Sequence, residues 1–409
     1  MSADDVSMVA GARKVAEVAA PLAGVMEDDR RLHPDVVRTM TDAGFMRHFV
    51  PRGFGGSAGT FGGLLSAVSL IGETCTASAW CAALAANTAR FVSFLPVEGQ
   101  AEVWSEGPDA HVVASVVPLG AAVATAGGWT VSGRWPYLSG IEHADWAVVC
   151  AMAAEGPAAA TAATAVTAPA DPSAPAAPTG PEPVLVAVPR SGFRVENTWN
   201  SVGLRATGSH TVVVDEVFVP LERSVPRRAL FAGRPEDPLL CPGAPRLVPL
   251  PAVNGLVFVA PALGAVRGAL ALFTEQVAAK RSGVPATVGT VAARTAHDVV
   301  LARSAAETDA VRLLLERVAT VADGGAALSE ESVRRSTRDS AYAIDALVRV
   351  VNRLYRASGT SGQRAGAPLE RFWRDVNSVA THQALQFEPA AQEYTSTLVA
   401  GAGGTGTGQ

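Results

Sequence analysis

The stretch GGWTVSGRWPYLSGIEHADW, Gly127 to Trp146, decides how the rest of the chain is read. Gly127-Gly128 marks a turn, and Trp129-Thr130-Val131 reads as a strand. Ser132-Gly133 interrupts that strand, and Arg134-Trp135-Pro136-Tyr137 resumes it past a bulge, because Gly and Pro both break a central ladder. The run ends on Ser139-Gly140, a hydroxyl beside a residue that lets another group approach the backbone closely. Trp129, Trp135 and Tyr137 with that small polar end would suit the wall of a flat, ring-shaped ligand. An ordinary sandwich hairpin with a Trp-rich core is the plainer alternative.

Strand signals continue on both sides of this stretch. Val112-Val113, Trp146–Met152, Val184–Val188 and Thr211–Val219 are short and separated by Gly, Pro or Asn turns, which predicts a central β domain of the sandwich or barrel type over 119–222. Between two of its strands lies Ala153–Pro183, almost wholly Ala, Pro, Thr and Gly. It has too little apolar surface to bury and is expected to be a flexible surface insertion. Residues 1–118 read as a helical domain. Val9–Ala23 is alanine-rich and periodic, Pro34-Asp35 starts a second helix that ends at Ala43-Gly44, and Phe49–Gly56 is a loop. The small-residue pattern from Phe61 to Phe94 suggests close-packed helices, with Trp80 set among them. In 223–409 the helical period returns over Ala260–Lys280, Val291–Asp323, Glu331–Ala357 and Leu369–Leu398, the number and length a four-helix bundle needs. Gly401–Gln409 is expected to be a disordered tail. The class is α+β and multidomain.

The 409 residues allow two or three domains with a substantial core. Hydrophobic residues make up 48% and charged residues 17%, so large surfaces are expected to be buried, some between subunits. The net charge of −5 comes without a basic cluster, which sets nucleic acid aside. Cys75, Cys81, Cys150 and Cys241 show no CxxC or metal spacing, as expected for buried thiols in a reduced compartment. The acidic N-terminus does not read as a signal peptide, and no continuous apolar run is read as long enough to span a membrane. A cytoplasmic protein is the expectation.

Two further stretches could carry chemistry. In WNSVGLRATGSH, Trp199–His210, Gly203 and Gly208 bracket Arg205 and Thr207, with Ser209 beyond. The backbone can approach a ligand there while hydroxyls and a guanidinium line it; a plain turn between strands is the alternative. It has neither the GxxxxGK[ST] spacing of a phosphate loop nor a strand–GxGxxG–helix unit. In LERFWRDVNSVATH, Leu369–His382, Arg371, Asp375, Ser378 and His382 are spaced 4, 3 and 4 and share one helix face. Such a stripe is often solvated. Here Trp373, Val376 and Val379 leave little polar surface around it, so His382 would be a partly buried imidazole able to accept or donate a proton. Glu370 and Glu388 are alternative acid/base groups. The sequence has no Ser-His-Asp order, HExxH helix or metal-ligand cluster.

The layout of helices, β domain and four-helix bundle resembles the acyl-CoA dehydrogenase superfamily, as does RRLHPDVVRTMTDAGFMRHFVPRGFGG, Arg30–Gly56. GETCTASAW (Gly72–Trp80), SGRWPYLSGIEHADW, VGLRATGSHTVVVDEVFVP and RFWRDVNSVATHQ resemble its two-component (group D) flavin-dependent monooxygenases, most nearly the aromatic polyketide hydroxylases of the actinorhodin-pathway type, an antibiotic-forming group. The resemblance runs nearly end to end, apart from the insertion and the tail. It implies an oxygenase component that takes reduced flavin from a separate NAD(P)H flavin reductase, lets O2 add at flavin C4a and hydroxylates a phenol. FMN, as FMNH2, is favoured, with FAD as the alternative, and a homotetramer is implied. Ser139 and His382 would be catalytic, Ser139 near flavin N5 and His382 facing the reacting edge as donor or base. Trp80, Trp135, Ser139, Arg205, Thr207 and Ser209 would border the flavin, with Arg281 reaching a phosphate of its own or a neighbouring subunit's flavin; no metal site is implied. The alternatives are N-hydroxylation of an amino sugar or amine, an acyl-CoA dehydrogenase, and a flavin-less binding protein. Against the dehydrogenase, FEPAAQEYTSTLVAG lacks the tyrosine-glutamate-glycine setting of many members, and Arg281 is followed by Ser-Gly-Val rather than the RxxFG pattern.

Overall fold

The computed structural model describes residues 3–154, 182–235, 247–282, 288–325 and 327–403. Residues 155–181 of the expected insertion, Cys241 and the tail beyond 403 lie outside them. Five helices come first: α1 (Ala3–Asp29), α2 (Pro34–Asp42), α3 (Phe61–Gly72), α4 (Thr76–Val92) and α5 (Val97–Val103). Seven strands follow: β1 (Val112–Thr125), β2 (Gly128–Leu138), β3 (Trp146–Ala154), β4 (Pro183–Pro189), β5 (Arg194–Glu196), β6 (His210–Pro220) and β7 (Ser224–Pro226). A short α6 (Arg227–Ala232) leads to α7 (Leu250–Arg281), α8 (Val288–Asp323), α9 (Glu330–Ser358), α10 (Pro368–Val379) and α11 (Phe387–Gly403).

The strands form one mixed sheet in the order β5-β6-β2-β1-β3-β4-β7, with β1 and β3 parallel. Ala126-Gly127 makes the β1–β2 turn, Gly127 supplying the positive φ of 76° that a tight hairpin needs. The register of β2 against β6 slips between Val131 and Gly133, so the expected bulge at Ser132-Gly133 is present. Side chains alternate between two cores. Val112, Val148, Cys150, Leu185 and Ala187 pack toward α4, α5 and α6, whereas Val113, Ala147, Val149, Val184, Val186 and Val188 join Val131, Val212 and Val214 on the other face. Strands β4 and β6, with three strands between them in the ladder, lie against each other, so the sheet curls on itself around that second core.

The largest core belongs to the helices. It runs without a break from Met8 and Val15 of α1 through α3 and α4 to Val257, Leu315, Leu347 and Val376. The helices before and after the sheet therefore share one interior. Helices α3 and α7 cross where a Cβ on Gly72 or Gly264 would strike the opposite backbone, which explains the small residues there.

Two expectations need correction. Helix α7 is long and apolar enough, by length and composition, to cross a membrane, contrary to the reading that no apolar run is. Nonetheless 78% of its most apolar window is buried inside the protein, against α3, α4, α8, α9 and α10. Its composition is that of a central core helix. The expected single helix Leu369–Leu398 is also two: α10 ends at Val379, a 3-10 turn spans Gln383–Leu385, and α11 starts at Phe387. Pro389, which has no N–H, is tolerated in the first turn of α11 but would kink a continuous helix.

Candidate active site

The site is assembled where α4, the end of β2, the loop before β6 and the α10–α11 break converge. Trp80 is its hub. Helix α4 is buried on almost every side, so Trp80 is fixed by packing and only 7% exposed. Its Nε1–H donates to Ser139 Oγ at 3.0 Å. Ser139 Oγ lies 2.7 Å from Ser209 Oγ, which lies 2.6 Å from Thr207 Oγ1. Thr207 Oγ1 donates to the Leu204 carbonyl at 2.9 Å, and the Gly140 N–H donates to the Thr207 carbonyl at 2.8 Å. The hydroxyls expected from two separate stretches thus form one chain of hydrogen bonds, with half-buried Ser139 at its open end.

Across Trp80 the surroundings are aromatic. Phe258 of α7 stacks on its indole at 5.1 Å with 16° between the planes, and the His382 ring lies 4.1 Å from Phe258 and 6.2 Å from Trp80. His382 is not on the face of α10. It caps the 3-10 turn beyond it, its Nδ1 accepting the Ala384 N–H at 3.2 Å. That bond assigns the ring proton to Nε2. Burial pulls the imidazole down to about 4, so it is neutral near pH 7.

Of the three aromatics on β2, only Tyr137 faces outward. It is 74% exposed, held at φ +68° by a second register shift, and lies edge-on to Trp199 at 6.2 Å. Half-buried Trp129 donates to Ser224 Oγ at 3.1 Å. Trp135 corrects its sequence assignment: it is 0% exposed, sits over Gly120 and Gly133, and donates to the Cys150 carbonyl at 2.7 Å. Cys150 falls where β1 skips its register with β3, so the indole N–H supplies the bond the ladder omits. Trp135 packs inside the sheet's own core.

Arg205 lies in the 3-10 turn Arg205–Thr207, half-buried, with its Nε buried and making no hydrogen bond among the described residues. Arg281 is at the far end of α7, 23 residues and about 35 Å along the helix from Phe258. There it pairs with Asp298 at 2.6 Å. It does not join Trp80, Ser139 and His382 within one subunit.

A flat ring with polar edges fits this arrangement. Hydroxyls end at Ser139, an exposed aromatic is held beside them, and Arg205 presents a buried donor. Phe258 escaped the sequence reading because it sits in the apolar run Gly255–Pro261, where nothing distinguishes it from core. Asp375 was visible only as part of the polar stripe.

Comparison with known proteins gives the same picture. Residues 256–387 match the family model "Acyl-CoA dehydrogenase, C-terminal domain". The chain is 29% identical over 400 residues, 94% of its length and 91% of the relative's, to the oxygenase component of the FADH(2)-dependent resorcinol hydroxylase of Rhizobium sp.. The HsaA monooxygenase of M. tuberculosis superposes with a TM-score of 0.83 at 25% identity over 97% of both chains. XiaF from Streptomyces sp., solved with FADH2 and glycerol, gives 0.82 at 25% identity over 97% of this chain and 96% of that one. The chain therefore carries the acyl-CoA dehydrogenase-like fold and is related over more than nine-tenths of its length to the oxygenase subunits of two-component flavin-dependent monooxygenases.

Proposed function

We propose that this chain is the oxygenase component of a two-component flavin monooxygenase that hydroxylates a phenolic substrate, using O2 and reduced flavin delivered by a separate reductase. One observation carries the reading: a neutral, tautomer-fixed His382 faces an aromatic wall beside a hydroxyl chain that ends at Ser139. Ser139, backed by Ser209 and Thr207, would hold the flavin's polar groups, with Tyr137 and Arg205 as further residues that would bind the cofactor. Reduced flavin, when bound, supplies the two electrons that activate O2.

The protein's own contributions are binding, dryness and one proton. Phe258 and Trp80 exclude water from the reacting edge, which favours oxygen transfer over release of hydrogen peroxide. His382 offers Nε2–H as a donor to the oxygen being transferred. It acts as donor rather than base, since removing a phenolic proton at Nε2 would require giving up the Ala384 bond at Nδ1. This narrows the two roles left open by the sequence.

The resorcinol hydroxylase and XiaF are described with FADH2. That weighs toward FADH2 against the FMNH2 expected from the sequence. A fused-ring polyketide phenol is the finer substrate reading and rests on the local resemblance of the motifs. A cytoplasmic homotetramer is proposed on the same ground, and in it Arg281 serves a neighbouring subunit's site. The deciding experiment loads the protein anaerobically with FADH2 or FMNH2 and mixes it with oxygenated buffer and a phenol panel from monocyclic resorcinol to fused-ring polyketides. Hydroxylated phenol with little free peroxide supports the reading. Immediate flavin reoxidation with stoichiometric peroxide and no product for any phenol would sink it.

A further inference from the structure

Asp375 is a member of the α10 stripe that no step above uses, and it is only 2% exposed. Its Oδ1 accepts the Leu204 N–H at 2.6 Å. Leu204 has φ +53°, a left-handed conformation that an L residue with a branched side chain adopts only when its surroundings impose it. The rest of α10 supplies those surroundings. Arg374 Nη1 donates to the Val202 carbonyl at 2.5 Å, and a Cβ on Gly203 would run into Ser378 Oγ and the Arg374 carbonyl. The Leu204 carbonyl in turn accepts Thr207 Oγ1 at 2.9 Å and Trp199 Nε1 at 3.2 Å. One residue thus touches α10 through its amide and the hydroxyl chain through its carbonyl.

We propose that Asp375 is a positioning residue: from α10 it holds Leu204 in its left-handed turn and so aims the Thr207 and Ser209 hydroxyls at Ser139. The clamp stands on the geometry of the chain itself; its consequence for flavin rests on the function proposed above. The charged groups facing Asp375 are Arg371 and Arg374 on its own helix and Glu27 from α1, with the Cys75 thiol beside it. Glu27 takes both guanidiniums, Arg371 at 3.1 Å and Arg374 at 2.6 Å. Burial therefore dominates and pushes the Asp375 carboxyl up to about 6, with the Leu204 amide pulling it back and Glu27 adding to the rise. Above that pH the bond to Leu204 is charge-assisted; below it, a neutral acid makes a weaker one.

The test uses full-length wild type, Asp375→Asn and Asp375→Ala. Hydrogen exchange at the Leu204 amide is read without flavin, and reduced-FAD affinity is read by anaerobic titration of tryptophan fluorescence from pH 5 to 8. Asp375→Ala should speed Leu204 exchange and weaken reduced-FAD binding, each by about tenfold or more. Asp375→Asn, which keeps a carbonyl acceptor, should fall between. Wild type should lose affinity relative to Asp375→Asn as pH falls through about 6, while the flavin's own ionisation is common to both. His382, titrating near 4, lies below this window. Unchanged Leu204 exchange in a folded Asp375→Ala, or the same pH dependence in wild type and Asp375→Asn, overturns the proposal. If the alanine variant does not fold, the asparagine comparison decides. Wild type that binds no reduced FAD would count against the functional reading, while Leu204 exchange would still decide the clamp.

Discussion

The two walls of the site are built on opposite principles. On the strand side, Ser139, Ser209, Thr207 and the Leu204 carbonyl hold one another at 2.6–2.9 Å, each polar group already oriented before any ligand arrives. On the helix side, Phe258, Trp80 and His382 make ring contacts, with one 3.2 Å hydrogen bond fixing the imidazole. A network of hydroxyls can grip but also hydrates its neighbours. An aromatic wall stays dry but grips weakly. Under the proposed function, this division would let the protein bind a polar ring edge on one side and protect a water-sensitive step on the other.

If that division is right, His382→Ala should cut hydroxylation about 10²-fold while leaving reduced-flavin affinity nearly unchanged. Product formed per O2 consumed would then fall and peroxide would rise; equal losses in affinity and turnover would blur the two walls into one. Ser139→Ala should do the reverse, weakening reduced-flavin binding by about tenfold in an anaerobic titration with a smaller effect on coupling. Trp135→Phe sharpens the boundary from outside. It orphans the Cys150 carbonyl and should cost about 1–3 kcal/mol of stability in denaturant unfolding, with flavin affinity intact. A matching loss of affinity would return Trp135 to the site.

The smallest effect concerns acid. His382 has its pKa lowered by burial to about 4 from an ordinary value of 6.5, so the unfolded chain binds the proton more readily. Its share of stability is complete above 6.5 and is lost as pH falls toward 4. His382→Gln should therefore lessen the drop in Tm between pH 6.5 and 4 by on the order of a few degrees. An unchanged acid slope would mean the imidazole is better hydrated than its packing indicates.

How far the chain could be read beforehand differed between these walls for a physical reason. The hydroxyl wall comes from two short stretches rich in Gly, Ser and Thr, where small polar residues among strands are conspicuous, and both were picked out. The aromatic wall is ordinary core in sequence, so Phe258 was invisible until α7 was placed against α4. The helix face carrying Arg371, Asp375 and Ser378 was legible from its spacing. The break that carries His382 off that face was missed, although Pro389 marks it. Trp135 misled because an aromatic between Gly and Pro looks like a ligand wall when its partner, the Cys150 carbonyl, lies on another strand. Helix α7 misled in the other direction, since its apolar content is broken by Gly255, Pro261, Gly264 and Gly268 and reads shorter than it is.

That same helix constrains how the protein is made. Its partners lie on both sides of it in the chain, α3 and α4 before it and α8, α9 and α10 after it. Strands β1 to β7 are complete by Pro226 and can close early during synthesis. Some 48 Å of apolar helix must then wait, covered only on the α3 and α4 side, until residues to Val379 have left the ribosome. A chain stopped after Arg281 should therefore be captured by chaperones or aggregate, and a soluble, monodisperse product of that length would show that the helix finds cover earlier than its contacts allow.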